Sequence, residues 1–123
     1  MMPWLMRDGE VLASVEQAST RAARRRGLLG RDSLEGVLVL RPCRQVHTLG
    51  MRFPIDVVFV DRRWVVVQVK PNLAPGRLPM PVWGAWGVLE LAAGRIAKIG
   101  LRQGDQLVLR EPLNGEEIVD SNG

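Results

Sequence analysis

The feature that most limits the possible folds is a series of short apolar runs rich in β-branched residues. Val37–Leu40, Ile55–Val60 and residues 64–69 have this composition, which is typical of β-strands. Only Asp61-Arg62-Arg63 separates the last two runs, too few residues for a crossover helix, so the runs are expected to pair as a hairpin. The turn signal Asp8-Gly9 predicts another hairpin near the start of the chain. We therefore expect a mainly antiparallel sheet.

Two short helices complete the predicted fold. The first begins at Ser19 or Thr20, whose hydroxyl groups favour helix N-termini, and ends at Gly27. The second covers residues 92–99 and ends at Gly100. Short strands need closure to avoid exposed edges. The expected fold class is therefore α+β and mostly β, with a small, barrel-like, curled sheet.

Length and composition indicate one domain. The 123 residues, 46% of them apolar and 24% charged, are enough to bury a core without disulfides or metals. We expect residues 1–113 to form a single β-rich domain and residues 114–123 to fray.

Three features of the sequence bear on location. No apolar run reaches the ~18 residues of a membrane span, the first residues lack the pattern of a secretory signal, and a lone cysteine forms no internal disulfide. These features favour a cytoplasmic protein with no membrane partner.

Arginine dominates the positive charge of this basic chain. The net charge is +4, and only Lys70 and Lys98 are lysines. An arginine excess is typical of phosphate or carboxylate recognition, but a G·C-rich coding sequence produces the same excess, and composition alone favours that explanation. The strongest cluster consists of Arg21, Arg24, Arg25, Arg26 and Arg31.

The arginine cluster has two interpretations. It is either a patch that binds an anion or nucleic acid, or a solvated helix face whose cations favour the helix C-terminus. The second is preferred because no partner element with stacking aromatic residues is evident; tyrosine is absent and phenylalanine is scarce. Nucleic acid therefore stays a less favoured partner.

Four short motifs, taken in order, resemble a known family. They are Arg26-Gly-Leu-Leu-Gly-Arg31, the run from Cys43 to Asp61, Val88-Leu-Glu-Leu-Ala-Ala-Gly94 and Gly100-Leu-Arg-Gln-Gly-Asp105. Over roughly residues 10 to 110 the chain is similar to the family called domain of unknown function 192, also known as uncharacterised protein family 0127. The resemblance implies a compact, β-rich single domain and assigns no catalytic residue.

Part of this resemblance points to a distinct subgroup, marked by the run from His47 to Asp56. Many relatives have Trp-Met-Lys-Asn-Thr where this chain has His47-Thr-Leu-Gly-Met51. The resemblance therefore implies no role for His47 that the whole family shares.

The run from Cys43 to Asp61 is the main candidate site, because it holds the only cysteine and the only histidine. Cys43 and His47 could act as a nucleophile and its base, but on an extended strand they lie ~13 Å apart, so the segment has to bend. A metal site needs at least three ligands, and we predict no metal and no cofactor. The alternatives are a buried apolar thiol and a satisfied imidazole.

Two acids in strands have open roles. Asp56 enters a buried strand, so its carboxylate has to be hydrogen-bonded or paired. We favour a structural role, with backbone donors from residues 50–53 or with Arg52 or Arg44 as partner, over a role as base or ligand acceptor. Glu90 shares a strand face with Val88 and is either a solvent-facing acid or the wall of a cavity.

Three tryptophans and Arg77 are the remaining candidates. Trp64 is expected in the core, whereas Trp83 and Trp86 lie on a long loop and form either a lid or the hydrophobic cap of a barrel. Arg77 follows the turn Pro75-Gly76 and is available to an acidic ligand.

Three functional hypotheses follow. The first is a non-enzymatic binding module that holds a small ligand or a segment of a protein partner near residues 43–56, with the loop of Trp83 and Trp86 as cover. The second is an enzyme with Asp56 or His47 as acid/base and Cys43 as nucleophile. The third is a nucleic-acid-binding accessory protein that uses Arg21 to Arg31. The residues assigned to the first hypothesis are His47, Met51, Arg52, Asp56, Arg77, Trp83 and Trp86.

Overall fold

Ten β-strands and one short helix make up the described part of the chain. The computed structural model describes residues 3–18, 20, 23, 27–113 and 116–120. The helix, α1, covers Arg95–Ile99. The strands are β1 (Trp4–Arg7), β2 (Glu10–Ala18), β3 (Val37–Leu40), β4 (Gln45–Val46), β5 (Ile55–Val60), β6 (Val66–Leu73), β7 (Met80–Pro81), β8 (Gly87–Ala92), β9 (Val108–Leu113) and β10 (Glu116–Asp120).

Eight of these strands form one mixed sheet. Their order is β10-β9-β1-β2-β3-β8-β5-β6, and β4 and β7 form a separate two-stranded sheet. Only β2 and β3 pair in parallel; the other neighbours in the large sheet are antiparallel. The prediction of a mostly β, mainly antiparallel fold is confirmed.

The sheet does not close into the predicted barrel. An isolated bridge between Val65 and Gln106 links the residue before β6 to the segment before β9, and Leu107 N donates to Trp64 O at 3.0 Å beside it. Pairing goes no further because β9 already has β1 on one edge and β10 on the other. No free edge of β9 is therefore left for β6.

Both predicted hairpins are confirmed. Asp8 and Gly9, with φ of 53° and 77°, form the turn between β1 and β2, as a two-residue turn of this hand requires. Across the second turn β5 pairs with β6. Trp64 does not begin that strand: it has a φ of 65°, and its N–H donates to Asp61 O at 3.0 Å.

The helices differ from the prediction. Helix α1 is shorter than residues 92–99, because Gly94 and Gly100, with φ of 94° and 76°, bound it on each side. The other predicted helix lies largely outside the described residues, although Thr20 Oγ1 accepts from Ala23 N at 3.0 Å, the bond expected of a capping residue. At the end of the chain Glu116–Asp120 form β10 and pair with β9, and the division into a domain of residues 1–113 and a frayed tail of residues 114–123 stays a prediction.

Strands β3, β5 and β8 are buried on both faces of the sheet. On one face, called the α1 face, Val58, Leu89 and Leu91 belong to the cluster that contains Ile96 of α1 and Trp64. On the other face, called the loop face, β3, β5 and β8 are covered by side chains from long connections. This second cluster includes Leu38, Val57, Phe59 and Val88 from the strands and Leu28, Met51 and Val82 from the connections.

Gly36 permits the close approach of β2 and β3. Its φ is 68°, and a Cβ atom there would lie 2.6 Å from the backbone oxygen of Ser14. We expect Gly36→Ala to lower the free energy of unfolding by about 1–3 kcal/mol, measured by urea denaturation. Gly9→Ala is the matched control, since Gly9 also has a positive φ but nothing lies within 4 Å of its added Cβ. An equal loss in both variants would show that the clash with Ser14 contributes nothing.

Candidate functional site

A small pocket opens on the loop face of the sheet, above β3 and β8. Its volume is about 60 Å³. The floor is formed by Leu40, Val88 and Glu90, and the turn after residue 27 closes one side. The segment before and after β4 contributes the opposite wall. The residues that define this Glu90 pocket are Leu28, Cys43, Gln45, His47, Met51 and Glu90.

Backbone and side-chain hydrogen bonds anchor the segment around β4 that forms this wall. Cys43 N donates to Trp86 O at 2.7 Å, and β4 pairs with β7. Thr48 is fully buried; its Oγ1 donates to Ala74 O at 2.7 Å and accepts from Arg77 N at 2.8 Å. Between Cys43 and His47 the chain is extended in the short strand β4, and the turn comes only after it, where Met51 N donates to Thr48 O at 3.2 Å. Sequence reasoning missed Thr48, because a single threonine in a loop carries no pattern that identifies it.

Glu90 is the buried acid of this pocket. The side chain is 4% exposed, and its neighbours across the two adjoining strands are Leu38 and Val57. No hydrogen bond or ion pair joins its carboxyl group to another residue that the structure describes. Burial raises the pKa of Glu90 to about 7, and the positive charge of Arg31 opposes this shift. Glu90 is thus the cavity wall, one of the two roles that the sequence allows.

The guanidinium group of Arg31 is hydrogen-bonded to a different acid, Glu16. Its Nη1 and Nη2 donate to Glu16 Oε1 and Oε2 at 3.0 and 2.6 Å. This bidentate pair lowers the pKa of Glu16, the hydrogen bond being the main cause. Arg31 therefore acts on Glu90 through its charge alone, and the Glu90 carboxyl group has no hydrogen-bond partner among the described residues.

Cys43 and His47 line the same pocket at a shallower level. The Cys43 thiol is partly buried and donates to Gln45 O at 3.1 Å. The His47 imidazole is exposed and makes no hydrogen bond with any other described residue. The two side chains share a cavity with Glu90, not the contact that a thiolate–imidazole pair requires.

Asp56 lies on the opposite face of the sheet. In the register of β5 and β8 it is paired with Leu91, whereas Val57 is paired with Glu90. Its Oδ1 accepts from Asn72 N at 2.8 Å and its Oδ2 from Ile96 N at 2.7 Å. These donors differ from those expected in residues 50–53. Arg52 instead pairs at the surface with Asp32, at 2.9 Å.

The other predicted ligand-binding residues lie apart from the Glu90 pocket. Trp83 and Trp86 line a second, larger cavity that shares no residue with it. The Trp86 ring packs edge-on against Trp64, with ring centroids 6.2 Å apart and an interplanar angle of 79°. Arg77 is exposed, and its backbone is hydrogen-bonded to Thr48. Of the predicted set, the structure brings together His47 and Met51 in one cavity and the two tryptophans in the other.

Three further predictions concern charge, metal binding and membrane spans. Arg21, Arg24, Arg25 and Arg26 lie outside the described residues, so the arginine cluster stays a prediction apart from Arg31. Within residues 3–18, 20, 23, 27–113 and 116–120, no group of three histidine, cysteine, aspartate or glutamate side chains is placed to hold a metal ion. A search of the same residues finds no helix with the length and apolar character of a membrane span.

Comparison with known proteins identifies the family and the fold. The family model DUF192, described as an uncharacterized ACR, matches residues 4–109. No curated protein matches the chain. A crystal structure of a protein of unknown function from Novosphingobium aromaticivorans is similar, with a TM-score of 0.74 and 24% identity over 86% of this chain and 82% of that one.

A second solved structure has the same fold. It is a protein from Sinorhizobium meliloti named as a candidate transcription regulator, with a TM-score of 0.75 and 21% identity over 85% of this chain and 89% of that one. At this level of identity the likeness extends to the fold alone.

Proposed function

This chain belongs to the uncharacterised DUF192 family, and we propose that it is a non-enzymatic binding module whose Glu90 pocket receives a small head group rich in hydrogen-bond donors. The observation that carries the proposal is the Glu90 carboxyl group, buried beside an open pocket with no partner among the described residues. Buried polar groups in folded proteins are almost always hydrogen-bonded. A ligand with N–H donors supplies the missing partner.

The shape and lining of the pocket favour an alkyl amine. A volume of about 60 Å³ admits one head group, so the remainder of a ligand lies outside, near His47 and Gln45. Leu28, Met51 and Val88 give apolar walls suited to an alkyl stem, and a protonated amine pairs with the Glu90 carboxylate through a charge-assisted hydrogen bond. Such a group is found on a small amine or on a lysine side chain of a partner segment.

The position of Asp56 favours the binding module over the enzyme hypothesis. Both of its carboxylate oxygens accept backbone hydrogen bonds on the α1 face, away from Cys43 and His47. The acid–base set that the enzyme hypothesis requires is therefore not assembled. We include a cytoplasmic location in the proposal, since a lone cysteine forms no internal disulfide.

Calorimetric titration with butylamine, butyramide and butyrate at pH 8 tests the proposal. We expect butylamine to bind most tightly and Glu90→Gln to weaken it about tenfold or more, as loss of a hydrogen bond to a charged group predicts. Glu10→Gln is the control, because Glu10 is exposed beside the β1–β2 turn. Butyrate binding as tightly as butylamine, or equal binding of butylamine by the Glu90 variant, would refute the proposal.

A further inference from the structure

We propose that a second cavity, bordered by Arg44, Arg62, Arg63, Trp83 and Trp86, binds a nucleoside phosphate. This arginine–tryptophan cavity measures about 660 Å³, within the range of small-molecule sites. It shares no lining residue with the Glu90 pocket, so the inference does not rest on the function proposed for that pocket.

Three chain segments meet at the cavity and are joined by backbone hydrogen bonds. Val82 N donates to Arg44 O at 2.9 Å, and Trp86 N donates to Val60 O at 2.8 Å, next to the turn that carries Arg62 and Arg63. That turn is held by Asp61, whose Oδ1 accepts from Arg63 N and Val65 N at 2.8 and 3.0 Å. The backbone positions of Arg44, Arg62 and Arg63 are therefore fixed relative to one another.

The charge of the lining favours an anion. Three guanidinium groups border the cavity, and the single acid, Asp61, has one oxygen engaged in the turn. Arg62 is positioned by the Trp86 ring, with its Cζ 5.9 Å from the ring centroid. Neither Arg44 nor Arg63 forms a side-chain ion pair with another described residue. Arginine recognises phosphate oxygens through two parallel N–H donors.

The indole ring of Trp83 lies beside these arginines and is available for a base to stack on. Trp83 is 96% exposed, although it lies in a turn anchored by the buried residues Val82 and Ala85, with Ala85 N donating to Val82 O at 3.2 Å. Gly84, with a φ of 85°, allows this turn. The Trp86 ring, by contrast, already lies under Arg41 and Arg62.

A nucleoside phosphate fits this combination better than other anions. One exposed indole stacks one base, and the neighbouring guanidinium groups bind its phosphates. Single-stranded nucleic acid requires several stacking rings along a groove, and here one is presented. An acidic peptide matches the arginines but makes no use of a ring plane that is fully open to solvent.

Calorimetry with ADP, adenosine and inorganic phosphate at low salt tests the inference. ADP is expected to bind, and adenosine and phosphate separately are expected to bind at least about tenfold more weakly, because each uses one part of the site. Trp83→Leu should weaken ADP about tenfold and leave the binding of phosphate unchanged. Arg44→Gln and Arg63→Gln should weaken both. Arg102→Gln, an exposed arginine at another turn, is the matched control and should change neither.

Three results would overturn the inference. One is the absence of ADP binding, and another is ADP binding that is unchanged by Trp83→Leu. The third is displacement of ADP by a competitor that binds more tightly: a polyglutamate peptide would indicate an acidic protein partner, and oligo(dT) whose affinity grows with length would indicate single-stranded nucleic acid.

Discussion

Asp56→Ala is expected to lower the free energy of unfolding by about 3–5 kcal/mol, since two backbone donors lose their acceptor at once. One donor is Ile96 N, in the first turn of α1. The residue at the helix N-terminus, Gly94, has no side chain and makes no capping bond, so a carboxylate from a neighbouring strand takes the place of the usual cap.

The other donor lies at a β-bulge. Between the pairs Ile55–Leu73 and Val57–Lys70, two residues of β6, Pro71 and Asn72, stand opposite Asp56 alone. A bulge leaves an extra residue without a ladder partner, and Asp56 Oδ1 accepts the N–H of Asn72. One side chain thus joins strand β5 to both the bulge and the helix.

A comparison of two conservative variants tests this account. Asp56 uses both oxygens, whereas Asp61 accepts its two backbone bonds with Oδ1 alone. Asp56→Asn places an NH₂ group against a backbone N–H and should cost about 2–3 kcal/mol. Asp61→Asn keeps its accepting oxygen and should cost less than about 1 kcal/mol. Urea denaturation measures both, and equal losses would contradict the assigned geometry.

Glu90 is expected to make the protein less stable as the pH rises from about 4.5 to 7. The pKa of Glu90 in the folded protein is raised to about 7 from the ordinary value of 4.5. In this range the folded state binds more protons than the unfolded state, so the free energy of unfolding falls with pH. A difference of about 2.5 pKa units corresponds to about 3 kcal/mol, lost by pH 8.

Glu90→Gln isolates this effect. The neutral amide should leave stability near pH 4.5 close to that of the unaltered protein and raise it by up to about 3 kcal/mol at pH 8. Urea denaturation from pH 4.5 to 8 gives the difference between the two proteins at each pH, which cancels the opposite contribution of Glu16, whose pKa is lowered. Glu10→Gln should keep the original pH dependence. A constant difference between the Glu90 variant and the unaltered protein would disprove the expectation.

Strands and turns could be predicted from the sequence because their causes are local. The β-branched composition of β5 and the φ values that Asp8-Gly9 tolerates act within a few residues. Barrel closure depends instead on which edges of β9 are free, and β1 and β10 occupy both. No sequence pattern within β9 indicates which strands pair with it.

The candidate site could be predicted only in part, for a similar reason. Cys43 and His47 stood out as single occurrences, and both line the Glu90 pocket. The roles of Glu90 and Asp56 depend on the face of the sheet and on what covers it. The alternation of side chains along a strand puts Glu90 on the same face as Val88. It gives no indication that residues 27–29 and 43–51 cover that face. The donors to Asp56 come from residues 16 and 40 positions further along the chain.

The position of β1 has a consequence for synthesis of the chain. This early strand is internal, with β2 on one side and β9 on the other, and Trp4 is paired with Arg110. On the ribosome, the β1–β2 hairpin forms long before β9 emerges, and until then one row of β1 backbone groups has no strand beside it. Nascent chains that stop before residue 108 should therefore bind chaperones or aggregate through this open edge.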